Sequence, residues 1–171
     1  PSGTDLTFEL CKRAVHVNDG IIDKEDIEKK SFDAQLPAGS ILTTIPETSG
    51  SGKVVFDQPL QTMGLNVENI EWEFKDGKVT SMKAKKNAEA ISKQFDADSG
   101  DKDRISLLQI GLNAEAKYGY LMNHIVEGAV QIGIGDNEYY GGKNASSFGM
   151  QGTLSKATLE IDGKTIIKNG L

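Results

Sequence analysis

Apolar and polar residues alternate along this chain in short runs broken by turn-forming residues, a period-2 pattern that predicts many strands and few helices. Residues 5–11 put Leu6, Phe8 and Leu10 on one face, and residues 70–74 do the same with Ile70, Trp72 and Phe74. Residues 78–84 answer the second run across Asp76-Gly77, a strong hairpin dipeptide, so Trp72 belongs on a buried face. Leu36-Pro37-Ala38-Gly39-Ser40 reads as a turn into a strand over 41–45 that Pro46 ends. Residues 47–53 then read as a hairpin loop and 53–56 as the returning strand. Further strands are expected over 126–134 and 148–154, and a last hairpin pairs 157–161 with 165–167 across Asp162-Gly163.

Helical periodicity is confined to a few places. Residues 23–30 form a charged surface helix after the turn Asn18-Asp19-Gly20. Asn87 is placed to cap a helix carrying Ala88, Ile91 and Phe95. Asp101 or Asp103 opens another through Ile105, Leu108 and Ile110, closing near Gly111, while residues 114–123 fit helix and loop equally. The expected architecture is α+β: a mixed, largely antiparallel sheet of many short strands with two or three helices, in one domain over residues 1–171.

Charge narrows the partners. Nineteen basic and 25 acidic residues give a net charge of −6, against a broad phosphate-neutralising surface, so no nucleic acid partner is expected. No apolar run approaches the roughly 18 residues of a membrane span, and the N-terminus lacks a basic-then-apolar signal. No membrane partner and a cytoplasmic location are expected. The lone Cys11, in a strand context, reads as a small packed residue.

Candidate chemistry concentrates between Gly128 and Gln151. An apolar run with glycine at alternate steps, Val130-Gln131-Ile132-Gly133-Ile134-Gly135, leads into the polar turn Asp136-Asn137-Glu138-Tyr139-Tyr140-Gly141-Gly142-Lys143-Asn144, as a site-forming loop would. Gly133 to Glu138 lacks the third glycine of a dinucleotide fingerprint, and residues 47–53 lack the first glycine and the hydroxyl residue of a phosphate loop. Asp136 and Glu138 are turn acids of the kind that bond their own backbone. Of the two histidines, His16 reads as structural, whereas His124 would share a helix face with Glu127 and is the remaining metal-ligand pair. Asn144-Ala145-Ser146 is formally a glycosylation acceptor.

The phrases Ile132-Gly133-Ile134-Gly135-Asp136-Asn137 and Gly141-Gly142-Lys143-Asn144-Ala145-Ser146-Ser147 resemble the catalytic region of the thermophilic aminopeptidase family, the aminopeptidase T-like metallopeptidases. Gly3 to Phe8, Leu36 to Gly39 and the closing run Ala157 to Lys164 resemble the same family in the same order. The resemblance implies a catalytic-type domain, a two-metal cleft holding zinc, cobalt or manganese, and a homodimer. Family members are about twice as long, and this chain begins Pro1-Ser2-Gly3, so a fragment of a longer chain is expected.

Carried over position by position, the family's ligands fall on Ser40 (for a glutamate), Leu107 (a glutamate), Gln131 (a histidine), Gly149 (a histidine) and Gln151 (an aspartate). Its catalytic tyrosine falls on Glu138, with Tyr139 adjacent. A two-metal centre needs carboxylate and imidazole ligands to hold its cations and activate water. Five ligand positions hold five residues that are not ligands. The expectation is a metal-free, non-catalytic homologue, a pseudoenzyme serving as a binding or structural module, with a peptide or small molecule as the cleft's ligand. The alternative is an active metal-dependent aminopeptidase, a hydrolase whose ligands lie elsewhere in this chain, in an absent N-terminal part or in a partner chain.

Overall fold

In a computed structural model the chain folds into two larger antiparallel sheets that share one apolar core, with two further two-stranded pairs, and residues 3–28, 30, 34–62, 64–119 and 122–171 are described. The first half contains β1 (Asp5–Thr7), β2 (Val15–Asn18), α1 (Lys24–Glu28), β3 (Ser40–Thr44), β4 (Ser51–Val55), β5 (Leu60–Thr62) and β6 (Leu65–Val67). It continues with β7 (Glu71–Lys75), β8 (Lys78–Lys83), α2 (Ala88–Ala97) and β9 (Ile105–Gly111). The chain closes with β10 (Val130–Gly135), β11 (Gly149–Leu154), β12 (Leu159–Ile161) and β13 (Lys164–Ile167). Thirteen strands and two α-helices among the described residues fit the α+β expectation.

One sheet runs β1-β4-β7-β8 and the other β11-β10-β9-β3-β2. Their facing sides meet in the core. Val54, Trp72 and Phe74 come from the first, and Ile105, Leu108, Ile110, Val130, Ile132, Ile134 and Met150 from the second. Trp72 is fully buried, its indole edge-on to Phe56 at 4.6 Å and to Phe74 at 6.2 Å. The expected hairpin forms it, with β7 and β8 pairing across Asp76-Gly77. The closing hairpin β12–β13 also forms, and α2 rests Phe95 edge-on against Phe148 at 5.4 Å.

Several local expectations give way to tertiary context. The run 105–111 is the middle strand of the five-stranded sheet rather than a helix. Covered on both faces, it has no exposed side to demand polar alternation, so its apolar residues occur without the period of a strand. Residues 47–53 are a crossover rather than a hairpin loop, because β3 pairs with β2 and β9 while β4 pairs with β1 and β7 in the other sheet. Strand β1 stops at Thr7, which leaves Leu10 out of the core and Cys11 exposed rather than packed. Asn87 precedes α2 in a left-handed conformation and donates its amide to the Asn66 carbonyl at 2.8 Å instead of capping the helix. The surface helix is the single turn of α1, and Lys29, in its expected basic end, lies outside the described residues. Tyr120 and Leu121, within the undecided segment 114–123, also lie outside them.

The core packing sets an expected outcome. Trp72→Ala should lower the stability measured by urea unfolding by about 3–5 kcal/mol, since it empties a fully buried aromatic site. Val17→Ala, on the exposed edge strand β2, should change it by about 0.5 kcal/mol or less.

Candidate functional site

The five-stranded sheet has a second face, turned away from the core. Directly opposed residues of antiparallel strands share a face, and the register therefore assigns this one. Leu42 opposes Gln109, Gln109 opposes Gln131, and Gln131 opposes Thr153. Ser40 opposes Gly111, Thr44 opposes Leu107, Gly133 opposes Gln151, and Gly135 opposes Gly149. Ser40, Leu107, Gln131, Gly149 and Gln151 thus lie on one face of one sheet. Glu138 does not: it sits beyond β10 in an exposed 3-10 turn, Glu138–Tyr140.

Neutral hydrogen bonds tie this face across four strands. Gln109 Nε2 donates to Ser40 Oγ at 3.0 Å, and Gln131 Nε2 donates to Thr153 Oγ1 at 3.2 Å. At Gly133 a β-carbon would stand 2.6 Å from Ser106 Oγ, 2.8 Å from Leu107 Cγ and 3.2 Å from Gln151 Cγ, so glycine is what admits those side chains. Ser40 and Leu107 are buried, Gln131 and Gln151 are half-buried, and Gly149 is exposed.

A cleft of about 190 Å³ opens over the β10–β11 side. Gln131, Gln151 and Thr153 form its floor, Asn123, His124 and Gly119 come from the long β9–β10 connection, and Pro59, Leu60 and Gln61 reach it from β5 and the preceding turn. His124 lies in the 3-10 turn Asn123–Ile125, where burial pushes its pKa below the ordinary value and favours the neutral imidazole. That turn ends at Ile125, and Glu127 lies past it with its side chain exposed, so the helical spacing expected to align the two does not exist. Among the described residues no three His, Cys, Asp or Glu side chains converge. The neutral donors gathered here do not fit a two-metal centre, whose cations require anionic and imidazole ligands.

The glycine-rich turn is held by two asparagines to which the sequence assigned no such role. Asn137 Nδ2 donates to the Ser106 carbonyl at 3.1 Å, and Asn137 Oδ1 accepts the Asn144 N–H at 2.9 Å. Asn144 Nδ2 donates to the carbonyls of Ile105 at 3.0 Å and Gly135 at 2.9 Å. Both side chains are buried, so the formal glycosylation acceptor at Asn144 faces inward. At Gly142 a β-carbon would come within 2.0 Å of Asn137 Oδ1, so no larger residue fits. His16 on β2 anchors the same turn through Nε2, 3.3 Å from the Tyr140 carbonyl, and through an edge-on ring contact with Tyr140 at 5.4 Å.

A carboxylate fastens the turn to the rest of the chain. Glu47 accepts both guanidinium nitrogens of Arg13 at 2.7 Å, and its Oε1 also accepts the Lys143 N–H at 2.8 Å. Burial raises the Glu47 pKa, but the Arg13 hydrogen bonds, with backbone N–H groups of Glu47 and Lys143 and the guanidinium charge, outweigh it and bring the pKa down to about 2. Gln109, Thr153, Asn137 and Asn144 were all invisible as site residues because only strand register and loop closure bring them together.

With this two-sheet domain and its amide-lined face described, likeness to known proteins can be placed on it. Residues 1–104 match the model of the thermophilic metalloprotease (M29) family. More than half of the 171-residue chain is covered, and the chain belongs to that family. It is 29% identical over 99 residues to aminopeptidase AmpS of Bacillus subtilis (strain 168), an alignment covering 57% of this chain and 23% of that protein.

Two solved structures share the fold at 19% identity. The 2,5-dihydroxypyridine dioxygenase of Pseudomonas putida KT2440 has a TM-score of 0.77 and covers 99% of this chain and 52% of its own. Wild-type AmpT of Thermus thermophilus has a TM-score of 0.58 and covers 70% of this chain and 34% of its own. The chain therefore spans about a quarter of the curated relative and at most about half of either structure. The family match ends before β9, so Ser40 lies inside it, whereas Leu107, Gln131, Glu138, Gly149 and Gln151 lie beyond it.

The Glu47 tie makes acid sensitivity predictable. A folded pKa of about 2 against an ordinary 4.5 contributes stability that is fully present above about pH 4.5 and is lost as the pH falls toward 2. After solvent screening this is worth about 1–2 kcal/mol. Glu47→Gln should flatten that part of the stability profile between pH 5 and pH 2, read by urea unfolding at each pH. Asp98 contributes a residual acid slope, since the Gly100 N–H and the Ser147 and Ser146 hydroxyls hold its pKa below the usual carboxylate range.

Proposed function

We propose that this chain is a non-catalytic, metal-free member of the metallo-aminopeptidase group, with its amide-lined cleft serving as a binding or structural module. The observation that carries this reading is the pairing of neutral groups across the outward face, Gln109 with Ser40 and Gln131 with Thr153. Carboxylates crowded together without cations repel and are costly to bury, so loss of metals and loss of acids belong together. Amides and hydroxyls satisfy one another instead. The cleft offers donors and acceptors but no fixed charge among its lining residues at neutral pH, which suits a short peptide or a neutral polar small molecule. The fold does not decide the chemistry: one solved likeness carries the name of a dioxygenase and another that of an aminopeptidase.

One observation favours the active aminopeptidase instead. The half-buried His124 imidazole faces the cleft in the neutral form a metal ligand requires, and zinc, cobalt or manganese is the cofactor that reading implies. Elemental analysis and a peptide assay separate the two. We expect far less than one transition-metal ion per purified chain, no release of N-terminal residues from short peptides, and no effect of a chelator on Tm. One or more tightly held ions per chain with chelator-sensitive peptidase activity overturns the proposal.

Our reading also includes a cytoplasmic location and a homodimer. No described helix is long and apolar enough to cross a membrane. Val15 and Val17 on edge strand β2, with Ile21, Ile22, Ile27 and Leu36 nearby in sequence, present exposed apolar side chains suited to self-association. Light scattering should give twice the monomer mass, and Val15→Lys with Val17→Lys should return it to the monomer.

A further inference from the structure

A cavity of about 410 Å³ lies on the other side of the five-stranded sheet from the cleft, between the two sheets. Leu6 and Phe8 near the β1 edge, Val54 of β4, Val130 and Ile132 of β10, and Leu154 of β11 supply its apolar wall. Four of these, Val54, Val130, Ile132 and Leu154, are buried core residues, so the cavity reaches into the core itself. Leu6 and Phe8 are only half-buried and stand where the edge strand leaves room.

Polar groups share the lining with these apolar side chains, and two of its hydroxyls are engaged within the fold. Thr4 Oγ1 accepts the Val55 N–H at 2.9 Å and donates to the Val55 carbonyl at 3.3 Å, while Thr158 Oγ1 accepts the Asn169 N–H at 3.3 Å. Lys156, exposed on the segment before β12, is the one ionisable side chain among the described lining residues. In a chain of net charge −6, this cavity has a cation on its lining and no carboxylate.

We propose that this inter-sheet cavity is a ligand site for an unbranched medium-chain aliphatic carboxylate. The hydrocarbon chain lies between the sheets against the apolar wall, and the carboxylate meets the Lys156 ammonium. A cavity of this size with an apolar wall on one side and one placed charge has the form of a small-molecule site. The site is separate from the amide-lined cleft and stands whether or not that cleft holds metal.

The test is isothermal titration of the whole protein with decanoate, decanol and decylamine below their aggregation concentrations. We expect saturable one-to-one binding of decanoate, weaker binding of decanol and none of decylamine. Lys156→Gln should weaken decanoate about tenfold, the loss of one charge-assisted hydrogen bond, and leave decanol unchanged. Leu6→Trp, which adds bulk to the apolar wall, should abolish both, with a cooperative urea transition showing that the variant folds. Decanoate bound equally by Lys156→Gln, binding that survives Leu6→Trp, or no saturable decanoate binding overturns the proposal.

Discussion

The structure depends on a strand with no exposed face. The peptide groups of β9 have to find their partners inside the protein, because water does not reach them. Neighbouring strands satisfy the ladder and more distant groups meet other polar atoms, while the buried Ser106 hydroxyl has no partner. The Ser106 carbonyl takes the Ile45 N–H and the Asn137 amide, the Ile105 carbonyl takes the Asn144 amide, and the Gln109 side chain reaches Ser40. The polar turn after β10 is therefore closed by the needs of a strand some thirty residues earlier. Glycine at 142 and asparagines at 137 and 144 are the residues that make this closure fit.

The same sheet divides the molecule chemically. One face gives its isoleucines, leucines and valines to the core shared with β4 and β7, and the other carries amides and hydroxyls that bond one another. Alternation along each strand generates both faces from one sequence. Family membership in the thermophilic metalloproteases (M29) accounts for the scaffold through β8 and α2, since the matched residues include both β3 and β4 and the crossover between the sheets. The side chains on the outward face define the chemistry that this scaffold presents.

Much of the fold was legible because its signals are local. Asp76-Gly77 and Asp162-Gly163 mark hairpins wherever alternating runs flank them, and Trp72 had one side of a strand to occupy. The run Ile105 to Gly111 was not legible, because burial on both faces erases the alternation by which a strand is known. Neither was the crossover after β3, since turn chemistry at residues 47–53 does not reveal which sheet the next strand joins. On the outward face, Gln131 and Gln151 stood out through their motif neighbourhood. The neighbours of Gln131 did not, because Gln109 and Thr153 meet it only through register.

The mutual satisfaction of Ser40 and Gln109 also makes this surface intolerant of an isolated charge. A carboxylate arriving at position 40 alone would be buried without a counter-charge, with only the neutral Gln109 amide to donate to it, and a bulkier residue at 133 would collide with Ser106 and Leu107. A single charge placed on this face is thus destabilising by itself, whereas exchange among neutral hydrogen-bonding residues is accommodated more easily.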